Sequence, residues 1–172
     1  TFSFTDADNG TFAYVVNGIS QSKPITRQVF SAPRPTCAVG GAAGSTPNYQ
    51  ALWWNAPAES ESGWGVNIDH QGDILFATWF TYDAGGRGMW LVMSRGARTG
   101  PGAYAGTLYR TTGPAFNASP WSGSAVVATE VGTASFAFTD ANNGTFSYTL
   151  DGVTQSKPII RQVFASPATV CR

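Results

Sequence analysis

The 172-residue chain has one histidine, so any nucleophile–histidine–acid triad would have to use His70. It stands in His70-Gln71-Gly72-Asp73, which reads as a tight turn between two strands, where polar residues are expected on backbone grounds alone. Glu59 and Glu61 form a carboxylate pair close to Trp64, the raw material of a glycosidase. Neighbouring glutamates on a polar loop ordinarily face solvent, and Glu130 stands alone. Asp6-x-Asp8-x-Gly10 and Asp140-x-Asn142-x-Gly144 share the opening spacing of a calcium loop. The full twelve-residue pattern with its terminal glutamate is missing, and a hairpin turn explains the residues better. There is no phosphate loop, zinc spacing or dinucleotide fingerprint. The expectation is therefore no enzyme, no cofactor and no metal, with a secreted hydrolase using His70 kept as one alternative.

The tryptophans carry more information. Trp79 and Trp90 fall mid-strand and are expected in the core. Trp53, Trp54, Trp64 and Trp121 fall at strand ends or in loops, where the mouth of a barrel would lie. Beside Glu59, Glu61, Asn67 and Asp69, such rings could stack on a sugar while the polar groups take its hydroxyls. The candidate glycan-binding set is Trp53, Trp54, Glu61, Trp64, Asn67 and Trp121. The alternative use of the same rings is to plug the barrel end.

These residues must be positioned by a scaffold, and the scaffold is partly written twice. Residues 1–37 (TFSFTDADNGTFAYVVNGISQSKPITRQVFSAPRPTC) align without a gap on residues 135–171 (SFAFTDANNGTFSYTLDGVTQSKPIIRQVFASPATVC), at an offset of about 134 residues. Asn9-Gly10 and Asn17-Gly18 read as hairpin turns between alternating strands, so residues 1–30 form a three-stranded meander. Pro24 belongs near a strand start or on an unpaired edge. Residues 31–49, with three prolines and Gly40-Gly41, read as a linker, and residues 50–172 as the complete module. Counting gives about eight strands and no helical period. The economical fold is all-β: an up-and-down antiparallel meander closed into a small barrel, preceded by the duplicated meander. A two-sheet sandwich is the alternative.

A three-stranded meander cannot bury its apolar face alone. Phe2, Phe4, Phe12, Tyr14, Val16, Ile25 and Val29 must therefore find another surface. Two solutions follow: docking on the same chain, or completing a neighbouring molecule by exchange. The other account is that the chain is a slice of a longer tandem protein. Cys37 and Cys171, equivalent positions in the two copies, either bridge each other, remain free or pair with other copies; a bridge implies an oxidising compartment.

Ten basic and ten acidic residues give a formal net charge of +0, which argues against a nucleic-acid partner. No apolar run reaches the roughly 20 residues of a membrane helix, so no membrane insertion is expected. Leu52-Trp53-Trp54-Asn55, Glu61-Ser62-Gly63-Trp64-Gly65, His70-Gln71-Gly72, Thr78-Trp79-Phe80-Thr81-Tyr82-Asp83 and Met89-Trp90-Leu91-Val92-Met93 together resemble a tandem-repeat module of secreted proteobacterial proteins. The resemblance covers most of residues 49–164. It implies an extracellular or cell-surface address and tandem use, and carries over no catalytic residue. The combined expectation is a structural or adhesive module linked to copies of itself, into a fibre or array, with a carbohydrate-binding module as the alternative.

Overall fold

A computed structural model describes residues 1–42, 44 and 46–172. Its strands are β1 (Phe2–Phe4), β2 (Asn9–Val16), β3 (Ile19–Thr26), β4 (Cys37–Val39), β5 (Ala51–Asn55), β6 (Gly65–Gln71) and β7 (Ile74–Tyr82). They continue with β8 (Gly88–Gly100), β9 (Ala103–Thr112), β10 (Val127–Phe138), β11 (Asn143–Leu150), β12 (Val153–Arg161) and β13 (Thr169–Cys171). The chain divides into two compact units. One is Thr1–Phe30 with Thr112–Val127, the other Ser31–Thr111 with Ala128–Arg172.

The larger unit is built on a closed eight-stranded barrel in which β5 to β12 follow one another and β12 returns to β5. The closing pairs are Ile159↔Asn55, Ile160↔Trp54 and Arg161↔Trp53. The fold is the up-and-down barrel, not the two-sheet sandwich. Closure removes the free edges that an open meander would expose. Period-two alternation sends Val66, Ile68, Leu75, Leu91, Met93, Phe136, Phe146 and Ile159 inward, each essentially inaccessible to solvent. Aromatic rings link the interior: Phe138 stacks on Tyr49 at 3.8 Å, Phe136 on Phe146 at 4.9 Å, and Trp79 lies 4.3 Å from Tyr148.

Two of the tryptophan expectations need correcting. Trp53 is fully buried and donates its indole N–H to the Tyr49 carbonyl at 2.9 Å. Trp90 is half exposed, because on β8 Met89, Leu91 and Met93 take the inward positions and Trp90 the outward one. Residues 31–49 carry structure of their own: β4, and the buried Tyr49; positions 43 and 45 of that expected linker lie outside the described residues. β4 pairs with β13 so that Cys37 faces Cys171, and the two form a disulfide. It closes a span of 134 residues, which in the chain-entropy model stabilises by roughly 4–5 kcal/mol.

In the smaller unit β1, β2 and β3 form a meander with Pro24 on the edge strand. Thr112–Val127, including a short 3₁₀ turn at Gly123–Ala125, belongs to the same unit. The turn chemistry departs from expectation at one place. Asn17 and Gly18, and their counterparts Asp151 and Gly152, have the positive φ of a two-residue hairpin. Asn9-Gly10 does not form a turn; both residues lie on β2. The turn is made by the preceding residues, where Asp6 Oδ1 accepts the backbone N–H groups of Asp8 and Asn9. Gly10 is needed for close approach, since a Cβ there would lie 2.6 Å from the Ser3 carbonyl oxygen. Asp140 and Asn143 repeat the arrangement. The carboxylate of this Asp-x-Asp/Asn-x-Gly motif is thus spent on its own backbone. Among the described residues no three His, Cys, Asp or Glu side chains come together as a metal-holding group. Nor is any helix among them long and apolar enough to cross a membrane.

Candidate functional site

Glu61, Trp64 and Lys157 form a clasp on the barrel. Lys157 Nζ donates to Glu61 Oε2 at 2.6 Å, Trp64 Nε1–H donates to the same oxygen at 2.8 Å, and the ammonium lies 5.4 Å from the indole centroid. Glu61 and Trp64 sit at the entry to β6, Lys157 on β12. The Lys157 hydrogen bond, then that of Trp64, hold the Glu61 carboxyl below its ordinary range. A carboxylate kept ionised in this way is a poor general acid.

His70 is on β6 and buried, not in the turn, which is made by Gly72 and Asp73. Its Nδ1 accepts the Tyr49 backbone N–H at 3.2 Å. Its Nε2 lies 2.8 Å from the Gly72 carbonyl and 3.2 Å from the Tyr104 hydroxyl. A neutral ring protonated at Nε2 accepts from the Tyr49 N–H and donates to the Gly72 carbonyl. Burial pushes its pKa below the ordinary imidazole value. Arg161 does comparable work at residues 48–53. It donates to the carbonyls of Asn48, Gln50 and Ala141 at 2.8–2.9 Å and lies 5.1 Å from the Trp53 ring. Both groups are fully engaged in holding chain segments together.

The six candidate glycan-binding residues fall in different settings. Glu61 and Trp64 touch; Trp53 is in the core; Trp54 is partly buried opposite Ile160; Asn67 is exposed between Leu52 and Thr78; Trp121 belongs to the meander unit. A different aromatic surface was missed. Phe80, Tyr82 and Trp90 share the outward face of β7 and β8, each about half exposed, with Phe80 directly opposite Trp90. They line a groove of about 440 Å³ with Gly63 and Gly88. The signal was present in β7, apolar on both faces: with one face committed to the interior, the other had to be outside.

The meander presents the second notable surface. Phe4 is 71% exposed where its counterpart Phe138 is 8% exposed. Val16 is also exposed, and Phe12, Tyr14 and Ile25 are partly covered. Val29 stands apart: its counterpart Val163 is equally exposed, so it lies outside the face that a barrel buries. The cover comes from Thr112–Val127. The Tyr14 hydroxyl donates to the Phe116 carbonyl at 3.0 Å, the two rings lie 6.3 Å apart, and Lys23 sits 5.5 Å from the Trp121 ring. No protein-family model, curated protein or solved structure matches this chain.

Proposed function

We propose that this chain is a structural module that links to copies of itself by giving its N-terminal meander to the barrel of a second copy. One observation carries the reading: β1–β3 and β10–β12 share sequence and strand register throughout, Phe2↔Phe12 matching Phe136↔Phe146 and Asn9↔Thr26 matching Asn143↔Ile160, while Phe136, Phe138, Phe146 and Ile159 are buried and their counterparts Phe2, Phe4, Phe12 and Ile25 are exposed or only partly covered. The meander already has the face that fits between β5 and β9. Exchange of like elements is a low-cost route to association. It also conserves burial, since one meander enters a barrel as another leaves. Linking is therefore expected to be slow, to require barrel opening, and to rise with concentration. The disulfide favours an oxidising setting outside the cytosol, where an adhesive or fibre-forming module would work.

Sedimentation of the full chain over a wide concentration range, before and after brief exposure to mild denaturant, tests this. Linked species should accumulate after opening, and deletion of residues 1–30 should abolish them. A chain that stays monomeric throughout, or links equally well without those residues, defeats the reading.

A second reading rests on Phe80, Tyr82 and Trp90. Three half-exposed rings along one sheet face offer stacking surfaces for a glycan, in place of the loop tryptophans first considered. Glycan titration followed by tryptophan fluorescence, with Trp90→Ala as control, separates it from the first. No sugar-dependent change removes it.

A further inference from the structure

Lys23 and Lys157 are the only lysines and occupy equivalent positions in the two meanders. Each has an indole beneath it, at 5.5 Å (Trp121) and 5.4 Å (Trp64). The two sites differ in charge. Lys157 also holds the Glu61 carboxylate, to which Trp64 itself is hydrogen-bonded. Among the described residues no carboxylate pairs with Lys23. Tyr14 and Tyr148 differ in the same sense. Both hydroxyls are hydrogen-bonded to the glutamine directly opposite in register, Gln21 and Gln155. Each packs on the phenylalanine of its own strand, Phe12 at 4.9 Å and Phe146 at 5.2 Å; beyond that Tyr148 lies 4.3 Å from Trp79, whereas Tyr14 meets Phe116 at 6.3 Å. Phe116 and Trp121 are themselves 40% and 51% exposed. They occupy the places of Trp79 and Trp64 loosely, and bring no carboxylate.

We infer that the Thr112–Val127 segment is an intramolecular stand-in, and that the group it keeps out of the Lys23 site is the Glu61 and Trp64 corner of a second copy. The inference rests on the self-linking reading and gives it a contact and a lock. In the linked state Lys23 donates to Glu61 of the other copy and lies over its Trp64, as Lys157 does within one chain. Burial and the clasp are both conserved in the exchange. The contacts of Phe116 and Trp121 are not, so they set the balance against linking. A lysine over a half-exposed indole contributes little, which makes the lock weak and releasable.

The test uses the full chain, half of it uniformly labelled with ¹⁵N, linked at high concentration and treated with a water-soluble carbodiimide. The reagent activates a carboxylate, and a contacting lysine amine displaces it as a urea to leave an amide. With two lysines the products are few. Linked species should yield a Lys23–Glu61 cross-link joining labelled to unlabelled chains. Monomers should yield Lys157–Glu61 within one chain. Linked species without the Lys23–Glu61 product overturn this inference and leave self-linking standing; absence of linked species overturns the reading beneath it. Trp121→Ala should raise the association constant about two- to five-fold. An unchanged constant overturns the lock, because the segment would then follow whichever meander is free.

Discussion

Phe2 and Phe136 occupy the same position of the same repeated sequence, pair with equivalent phenylalanines at 4.6 Å and 4.9 Å, and differ in exposure from 61% to 1%. The comparison separates two things that a sequence pattern specifies together. Alternation, turn residues and glycine placement fix the strands and their register, and these are identical in the two meanders. Burial depends on the surface opposite, which the C-terminal meander finds in β5 to β9 and the N-terminal one finds only in part. Arg27 and Arg161 show the same division. Both reach back to the preceding turn, at Ala7 and Ala141. Arg161 goes on to the carbonyls of Asn48 and Gln50, whereas Arg27 pairs with Asp8, at the position where the other copy has Asn142.

The largest test of the comparison acts where the two copies end. The disulfide joins Cys37 to Cys171, the same position of each copy. Replacing both with serine should cost roughly 4–5 kcal/mol in urea unfolding, since the bridge constrains a long span of the unfolded chain. The midpoint should fall for the barrel transition. Fluorescence of the meander unit should respond far less, because both cysteines belong to the barrel unit.

Next come paired substitutions of one residue in two settings. Phe146→Ala should destabilise by about 3–5 kcal/mol, the range for a large cavity in a closed core. Phe12→Ala, at the equivalent position but only partly covered, should cost about 1 kcal/mol. Equal costs would mean that the meander is buried in solution to the same degree as its counterpart, and the comparison would collapse.

How much of this could be read from the chain follows the same line. The barrel, the repeat and the Asn17-Gly18 turn were legible because local periodicity and turn chemistry specify them. The two-residue register of β7 was legible too, yet not which face of β8 Trp90 would take, since Met89, Leu91 and Met93 compete for the interior with equal hydrophobicity. His70 was misplaced because a polar residue beside Gly72-Asp73 looks like turn sequence. Its burial is made possible by the Tyr49 N–H, the Gly72 carbonyl and the Tyr104 hydroxyl, and two of these three come from distant positions. The β4–β13 ribbon is three residues per strand and left no periodicity to detect. The role of Thr112–Val127 was invisible for a different reason: its rings take positions defined by the barrel, in a unit that has no barrel.

A pH series sharpens the contrast. Burial lowers the His70 pKa in the folded barrel, so the unfolded chain binds the proton more readily. Stability is then full above the ordinary imidazole range and falls as pH drops through about 6.5 and below. His70→Gln should flatten the dependence between pH 8 and pH 5.5 while leaving the acid transition of the carboxylates. The meander unit contains no histidine. Its hydrogen-exchange protection, corrected for intrinsic rates, should stay level over the same interval.

The smallest effect is the most specific, because it isolates the lysine. Lys157→Met removes a charge-assisted hydrogen bond to Glu61 and the contact over Trp64. The Glu61 side chain is 43% exposed, and solvent screening keeps the expected loss to about 1 kcal/mol. Lys23→Met removes only the contact over Trp121, a loss of about 0.5 kcal/mol. Introducing Glu61→Gln into both variants distinguishes them further. Its effect should shrink sharply in the Lys157→Met background, where its partner is gone, and be unchanged in the Lys23→Met monomer. Chemical denaturation at low and high salt reads both values, and salt should erode only the first. Coupling between Glu61 and Lys23 in dilute monomer would mean that the two meanders share one clasp within a chain, and the distinction drawn between them would no longer hold.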